Sequence, residues 1–201
     1  MSFEGIIIKM HPSGEADLVL RVLRAEGDKL SLLAKNARRS KRRFGSSFDL
    51  FDRGRFETGR GRGTLLLVQS FIPGVAWRTM RADLDRYISA SVLCETADYL
   101  VPEGVEPDSS ASYTTVIDGL QAIEEAADSR EALRAVYLAV ANLLSIAGFL
   151  DQTLAQTPSA NFLRRLLDNV EEITERKLQS RESLEQIIKG LKSSQERADE
   201  C

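Results

Sequence analysis

Asp17-Leu18-Val19-Leu20-Arg21-Val22-Leu23-Arg24 runs through Glu26-Gly27-Asp28 into Lys29-Leu30-Ser31-Leu32-Leu33-Ala34-Lys35-Asn36. The first of these segments is almost unbroken apolar, as a strand covered on both faces requires. In the second, Leu30, Leu32 and Ala34 alternate with Ser31, Leu33 and Lys35, the period of a strand with one buried face. The acidic glycine turn between them makes the pair a hairpin. Upstream, residues 3–10 carry Ile6, Ile7 and Ile8, and the link 11–16 holds Pro12 and Gly14, so another strand precedes the hairpin. Downstream, residues 48–57 and 64–71 read as a fourth and a fifth strand. They are joined by Gly59-Arg60-Gly61-Arg62-Gly63, where access to positive φ suits a hairpin. Five short strands in about 75 residues leave many open edges unless the sheet closes. The expectation is a five-stranded OB-fold barrel, the commonest small closed barrel that binds nucleic acid.

After Pro73-Gly74 the apolar period becomes helical. From Met80 a stripe of Leu84, Tyr87, Ile88, Ser91 and Val92 predicts one helix, ended by Pro102 and Pro107. Residues 108–127 place Tyr113, Val116, Ile117, Leu120 and Ile123 on one face. Asp128-Ser129-Arg130-Glu131 has capping-box spacing before Leu133, Val136, Tyr137, Val140, Leu143 and Leu144. Gly148 is placed to close that helix and Ser159 to open the next, which carries Leu163, Leu166, Leu167 and Val170. A last short helix holds Leu184, Ile187, Ile188 and Leu191, and the polar tail 193–201 is expected to fray. The fold class is therefore α+β: residues 1–78 an OB-fold nucleic-acid-binding domain, residues 79–201 an all-α domain.

Charge divides the chain in the same place. Residues 1–80 carry 15 Lys and Arg against 8 Asp and Glu, and residues 81–201 carry 12 against 22, giving +7 and −10 within a net charge of −3. Arg38-Arg39-Ser40-Lys41-Arg42-Arg43 places five cations in six residues with no carboxylate in the run. A cationic head on an acidic body suits a polyanionic ligand, and each of these side chains is of a kind that meets phosphate. Arg21 and Arg24 read equally well as solvent-facing. Phe44 beside the run reads as barrel core in preference to a base-stacking platform.

Nothing marks catalysis, so no enzyme is expected. His11 lacks a nucleophile and an orienting partner in the sequence. Gly59–Gly63 lacks the Gly-Lys-Ser/Thr ending and following helix of a P-loop. Cys94 and Cys201 have no metal-ligand spacing, and Cys94 sits among apolar neighbours as core. No cofactor is expected. The start has no cationic leader, no apolar run suits a membrane span, and the cysteine usage points to a reducing cytoplasm.

Ile6-Ile7-Ile8-Lys9 with Gly14-Glu15-Ala16-Asp17-Leu18-Val19-Leu20, then Gly27-Asp28-Lys29-Leu30-Ser31-Leu32-Leu33-Ala34-Lys35 and Ala37-Arg38-Arg39-Ser40-Lys41-Arg42-Arg43-Phe44-Gly45, resembles the opening of the RecO family, bacterial mediators of recombination and DNA repair. The Gly-Arg-Gly hairpin fits the same pattern. Leu143-Leu144…Gly148-Phe149 and Lys177-Leu178-Gln179-Ser180-Arg181-Glu182-Ser183-Leu184 are more loosely similar to its helical part. The chain departs from the family in two places. Many members carry a four-cysteine zinc module after the glycine-aromatic helix end, and Gly148-Phe149-Leu150-Asp151 here runs on without cysteine, so no metal is expected. Asn36 stands where the family usually has glycine, and asparagine tolerates left-handed φ better than most residues.

The resemblance implies a bacterial cytoplasmic, nucleoid-associated loader. Such a protein binds single-stranded DNA and duplex DNA, anneals complementary strands and helps place recombinase on DNA coated by single-strand-binding protein. Its implied partners are the toroidal protein RecR and the C-terminal tail of the single-strand-binding protein. Phosphate contact is assigned to Lys35, Arg38, Arg39, Lys41, Arg42 and Arg43, with Arg60 and Arg62 as supplements. A tail ending in an aromatic side chain and a carboxylate needs an apolar groove beside a cation, which Arg134 and Tyr137 can supply; ordinary helix packing with Arg134 in water explains them as well. Two other readings remain: an RNA-binding OB-fold protein, and an assembly protein whose basic loop docks an acidic partner.

Overall fold

The computed structural model describes residues 1–39, 48–61, 65–104, 110–150 and 159–199. Its first strands follow from the apolar runs: β1 (Ser2–Ser13), β2 (Asp17–Arg24) and β3 (Lys29–Ala34) form an antiparallel meander. β4 (Arg53–Gly59) and β5 (Leu66–Pro73) form a second antiparallel pair. β1 pairs with β4 from Ser2↔Glu57 to Ile6↔Arg53, and β3 pairs in parallel with β5 at Leu32↔Leu66 and Leu33↔Leu67. The order β1-β2-β3-β5-β4 closes on itself as a barrel, the OB-fold. Alternate residues fill it: Phe3, Ile7, Leu18, Leu20, Val22, Leu32 and Ala34 from the meander, against Phe56, Val68 and Phe71. Phe56 packs with Phe3 at 5.7 Å and with Phe71 at 4.6 Å between ring centroids, and rings of this kind contribute about 0.5–1.5 kcal/mol per pair beyond their buried area.

The fourth strand begins at Arg53, not at residue 48. Phe48 and Phe51 are core residues, yet they stand three apart and cannot share one face of a strand. Phe51 instead takes φ 70°, its amide donates to the Ile7 carbonyl at 3.0 Å, and the Asp49 amide donates to Asp52 Oδ2 at 2.8 Å. A turn with a fully buried aromatic therefore precedes β4. Trp77 fixes it by donating its indole N–H to the Phe51 carbonyl at 2.8 Å.

The helices are α1 (Arg78–Ala82), α2 (Leu84–Leu100), α3 (Ala111–Glu125), α4 (Ser129–Ile146), α5 (Ala160–Thr174) and α6 (Arg181–Asp199). Asp128 caps α4 by accepting from the Arg130 and Glu131 amides, while Glu131 reaches back one residue past the cap and accepts from the Ala127 amide at 2.7 Å in place of the Asp128 amide of a capping box. Gly148 at φ 82° closes the same helix as the sequence indicates, and Ser159 caps α5. The stripe expected on α2 is only partly its buried face: Val92 is buried and Tyr87, Ile88 and Ser91 are half-buried. Leu84 is 71% exposed, whereas Ser89, Ala90, Leu93, Thr96, Ala97 and Asp98 are buried. The burial of Cys94 raises its thiol pKa well above the ordinary range, as suits a core residue. α6 is helical through Asp199, where fraying was expected from Ser193.

Two compact units result: Met1–Trp77 with Val101–Thr114, and Arg78–Leu100 with Thr115–Cys201. The barrel unit thus includes a later segment. The Lys29 amide donates to the Pro102 carbonyl at 3.2 Å and the Gly104 amide to the Lys29 carbonyl at 3.0 Å, so that Glu103 lies in parallel beside Lys29.

Candidate nucleic-acid interface

Past Ala34 the chain turns sharply at Asn36, which takes φ 58°. Its amide donates to Asp17 Oδ1 at 2.8 Å. The Arg38 amide donates to the Ala16 carbonyl at 3.0 Å, and the Arg39 amide to the Asn36 carbonyl at 3.1 Å. Ala37 is buried in the barrel core. The buried Ala37 and the two bonds to Ala16 and Asp17 fasten residues 36–39 where β1 turns into β2, and the Arg39–Asn36 bond closes the segment on itself. Lys35, Arg38 and Arg39 are left exposed at that end of the barrel. The asparagine expected to tolerate the glycine position does so in the left-handed conformation.

Arg39 is not without a carboxylate partner, as the run alone suggested. Its Nη2 donates to Glu15 Oε2 at 2.7 Å, and Arg38 Nη1 approaches the Glu15 carbonyl at 3.4 Å. Glu15 lies 24 positions away in sequence, so nothing in the basic run announces it. The Arg39–Glu15 pair is 66% and 85% exposed, and such pairs hold by about 0–1 kcal/mol. Lys41, Arg42, Arg43, Phe44 and Arg62 lie outside the described residues.

Arg60 is exposed on the hairpin between β4 and β5. Gly59 and Gly61 do not use positive φ there. Gly61 is needed because a Cβ on it would stand 1.8 Å from the Leu65 carbonyl oxygen. The hairpin leaves the sheet where Leu66 pairs with Leu32, whereas Arg38 and Arg39 lie beyond the opposite end of β3. Of the predicted cations among the described residues, Lys35, Arg38 and Arg39 thus lie toward one end and Arg60 toward the other, with the outer face of β2 and β3 between them.

That face carries Arg21 and Ser31, which are register partners. Arg21 Nη2 donates to Glu103 Oε2 at 2.7 Å, with side chains 24% and 38% exposed. Partial burial opposes ionisation of Glu103, but the Ser31 hydroxyl, Arg21 and Lys29 outweigh it and hold the carboxyl below its usual pKa. Arg24 differs. It donates to Asp28 Oδ1 at 2.6 Å, the two side chains are 14% and 2% exposed, and its guanidinium lies 5.8 Å from the Phe3 ring centroid. It is a packing residue of the barrel. The sequence left both arginines open, and only the partner's burial separates them.

In the helical unit, Arg134 and Tyr137 line one groove of about 470 Å³ together with Leu133, Leu163, Ile188 and Lys192. Tyr137 is buried and Arg134 exposed, so the groove has an apolar floor and a cationic rim. Among the described residues no group of His, Cys, Asp and Glu is placed to hold a metal ion, and no helix is long and apolar enough to cross a membrane.

Residues 1–72 match the family model for the Recombination protein O N-terminal domain. Over a longer stretch, the chain is 33% identical over 146 residues to the DNA repair protein RecO of Bifidobacterium adolescentis, covering 73% of this chain and 58% of that protein. The chain is similar to the RecO family, and residues 1–72 match its N-terminal domain. Similarity to the RecO of Nocardioides is 32% over 120 residues, covering 60% of this chain and 49% of the relative; to that of Symbiobacterium thermophilum it is 33% over 147 residues, covering 73% and 56%. The RecO likeness thus extends from the barrel into the helices, while the match spans roughly half to three-fifths of each relative's length.

Proposed function

We propose that this RecO-like chain is a recombination and repair mediator that binds single-stranded DNA, and also duplex DNA, through the cationic end and outer face of its barrel. The carrying observation is that Arg38 and Arg39 are backbone-anchored beside the turn between β1 and β2 and exposed to solvent. The fixed backbone places both guanidinium groups at one end of the barrel, and their planar forks suit phosphate oxygens. Neutralising phosphates releases counterions and lets a second, complementary strand approach, which is the physical basis of annealing. In this reading residues 1–78 hold DNA, with Lys35, Arg38, Arg39, Lys41, Arg42, Arg43, Arg60 and Arg62 as phosphate contacts. The protein acts in the bacterial cytoplasm at the nucleoid and has no catalytic step of its own.

Residues 79–201 then serve protein partners. The groove rimmed by Arg130, Arg134 and Lys192 favours an acidic peptide with an apolar end, as the tail of single-strand-binding protein has. RecR is the further partner, and loading of recombinase the outcome. The test is fluorescence anisotropy of the full chain with a labelled oligodeoxynucleotide and a matched oligoribonucleotide. Saturable binding that prefers the DNA supports the proposal. Preference for RNA favours an RNA-binding OB-fold protein. No binding to either at moderate salt favours an assembly protein whose basic loop docks an acidic partner.

A further inference from the structure

We infer that Arg21 and Ser31 form an additional phosphate position on the barrel, and that Glu103 occupies it as the chain's own anion until a nucleic-acid strand displaces it. This rests on the DNA-binding reading above and concerns a part of the barrel outside the basic loop.

Leu18, Leu20 and Val22 of β2, and Leu32 and Ala34 of β3, face the core, so Arg21 and Ser31 stand on the outer surface. Lys9 is the register partner of Arg21 on β1, which makes Lys9, Arg21 and Ser31 one row across three strands. A guanidinium beside a hydroxyl is a pairing that commonly takes phosphate oxygens. Here the anion supplied is a carboxylate, that of Glu103. The row lies between Lys35, Arg38 and Arg39 toward one end and Arg60 toward the other. Four residues of strand, about 13 Å, separate Arg21 from Asp17, beside which Arg38 and Arg39 are fastened. The other end of β3 leads toward the hairpin of Arg60. One OB barrel covers about four to sixteen nucleotides, so a strand joining the two ends crosses this row.

The occupant is held in a way that permits release. Residues 102 and 104 bond to Lys29 through two backbone hydrogen bonds, ahead of the Leu32 and Leu33 positions taken by β5. The Arg21–Glu103 pair is partly exposed and screened, whereas the pair that Arg24 of the same strand makes with Asp28 is closed in. A phosphate brings the same kind of charge-assisted bonds to Arg21 and repels Glu103.

The experiment measures salt-dependent anisotropy of the full chain with a labelled oligodeoxythymidine, comparing the unaltered protein with Glu103→Gln, Arg21→Ala and the double variant. Glu103→Gln is expected to bind up to about fivefold tighter, since a pair of this exposure holds Arg21 by about 1 kcal/mol or less. The slope of log affinity against log salt is expected to steepen by up to about 0.7, one phosphate contact. The double variant is expected to lose the gain and match Arg21→Ala. Glu103→Ala gives the same comparison should glutamine disturb the segment. A Glu103→Gln protein with unchanged affinity and slope overturns the inference and leaves the DNA reading standing. A gain that persists without Arg21 also overturns it, because the effect is then net charge. Absence of binding by the unaltered protein sinks the DNA reading and this inference together.

Discussion

The Asn36 amide donates to the Asp17 carboxylate at 2.8 Å, tying the residue that leaves β3 to the residue that opens β2. This bond sets where the basic segment departs from the barrel, and it requires Asn36 to stay at φ 58°. Asn36→Gly should therefore keep the melting temperature within a few degrees. Asn36→Val, a β-branched residue forced into the left-handed region, should cost about 1–3 kcal/mol. Thermal melts of the two variants check this, and equal stability would contradict it.

Glu15→Gln should remove the ion pair that partly neutralises Arg39. The expected result is oligonucleotide binding tighter by up to about fivefold with a loss of stability below about 1 kcal/mol, because the pair is exposed on both sides. Anisotropy and melting on the same sample separate the two effects.

Glu171 gives the helical unit an acid limit. Burial alone would raise its pKa, but Lys177 at 2.9 Å, the Leu178 amide at 2.9 Å and Arg181 at 3.0 Å outweigh it and hold the carboxyl below the usual range. A depressed folded pKa contributes stability that is fully present above the unfolded value of about 4.3 and is lost as pH falls through the folded value. Melting temperature should fall below about pH 4.3, and Glu171→Gln should flatten that fall while costing about 1.5–3 kcal/mol at neutral pH. A variant with the unaltered pH profile would contradict this.

Arg134→Glu in the full chain should weaken binding of an acidic peptide with an apolar C-terminal end by tenfold or more, through like charge at the groove rim. It should leave oligonucleotide affinity within about twofold. Titration calorimetry with the peptide and anisotropy with the oligonucleotide distinguish a site effect from general unfolding.

Local signals were legible in the sequence, and long-range ones were not. The β2–β3 hairpin, the Asp128 cap and the Gly148 end are each written within a few consecutive residues, and each appears in the structure. The start of β4 was misjudged because Phe48 and Phe51 are as apolar as strand residues, and only the Asp49–Asp52 turn shows that they are not in one. The α2 stripe was only partly right: Val92 is buried, but much of the buried face is small or polar, as at Ser89, Ala90 and Thr96. At the candidate site, Arg38 and Arg39 were visible as charge, but Glu15 and Glu103 lie 24 and 82 positions from the arginines they meet. Composition marks a basic surface; only the fold shows which of its cations already hold an anion.

The salt dependence of oligodeoxythymidine binding by the full chain, measured for the unaltered protein and for Arg38→Ala/Arg39→Ala, tests the central claim most directly. About five to eight phosphate contacts predict a slope of log affinity against log salt near −4 to −6, and removal of two cations should make it shallower by about 1.4 with the melting curve intact. An affinity and slope that the double substitution leaves unchanged would contradict the claim that the anchored end of the barrel is the DNA interface.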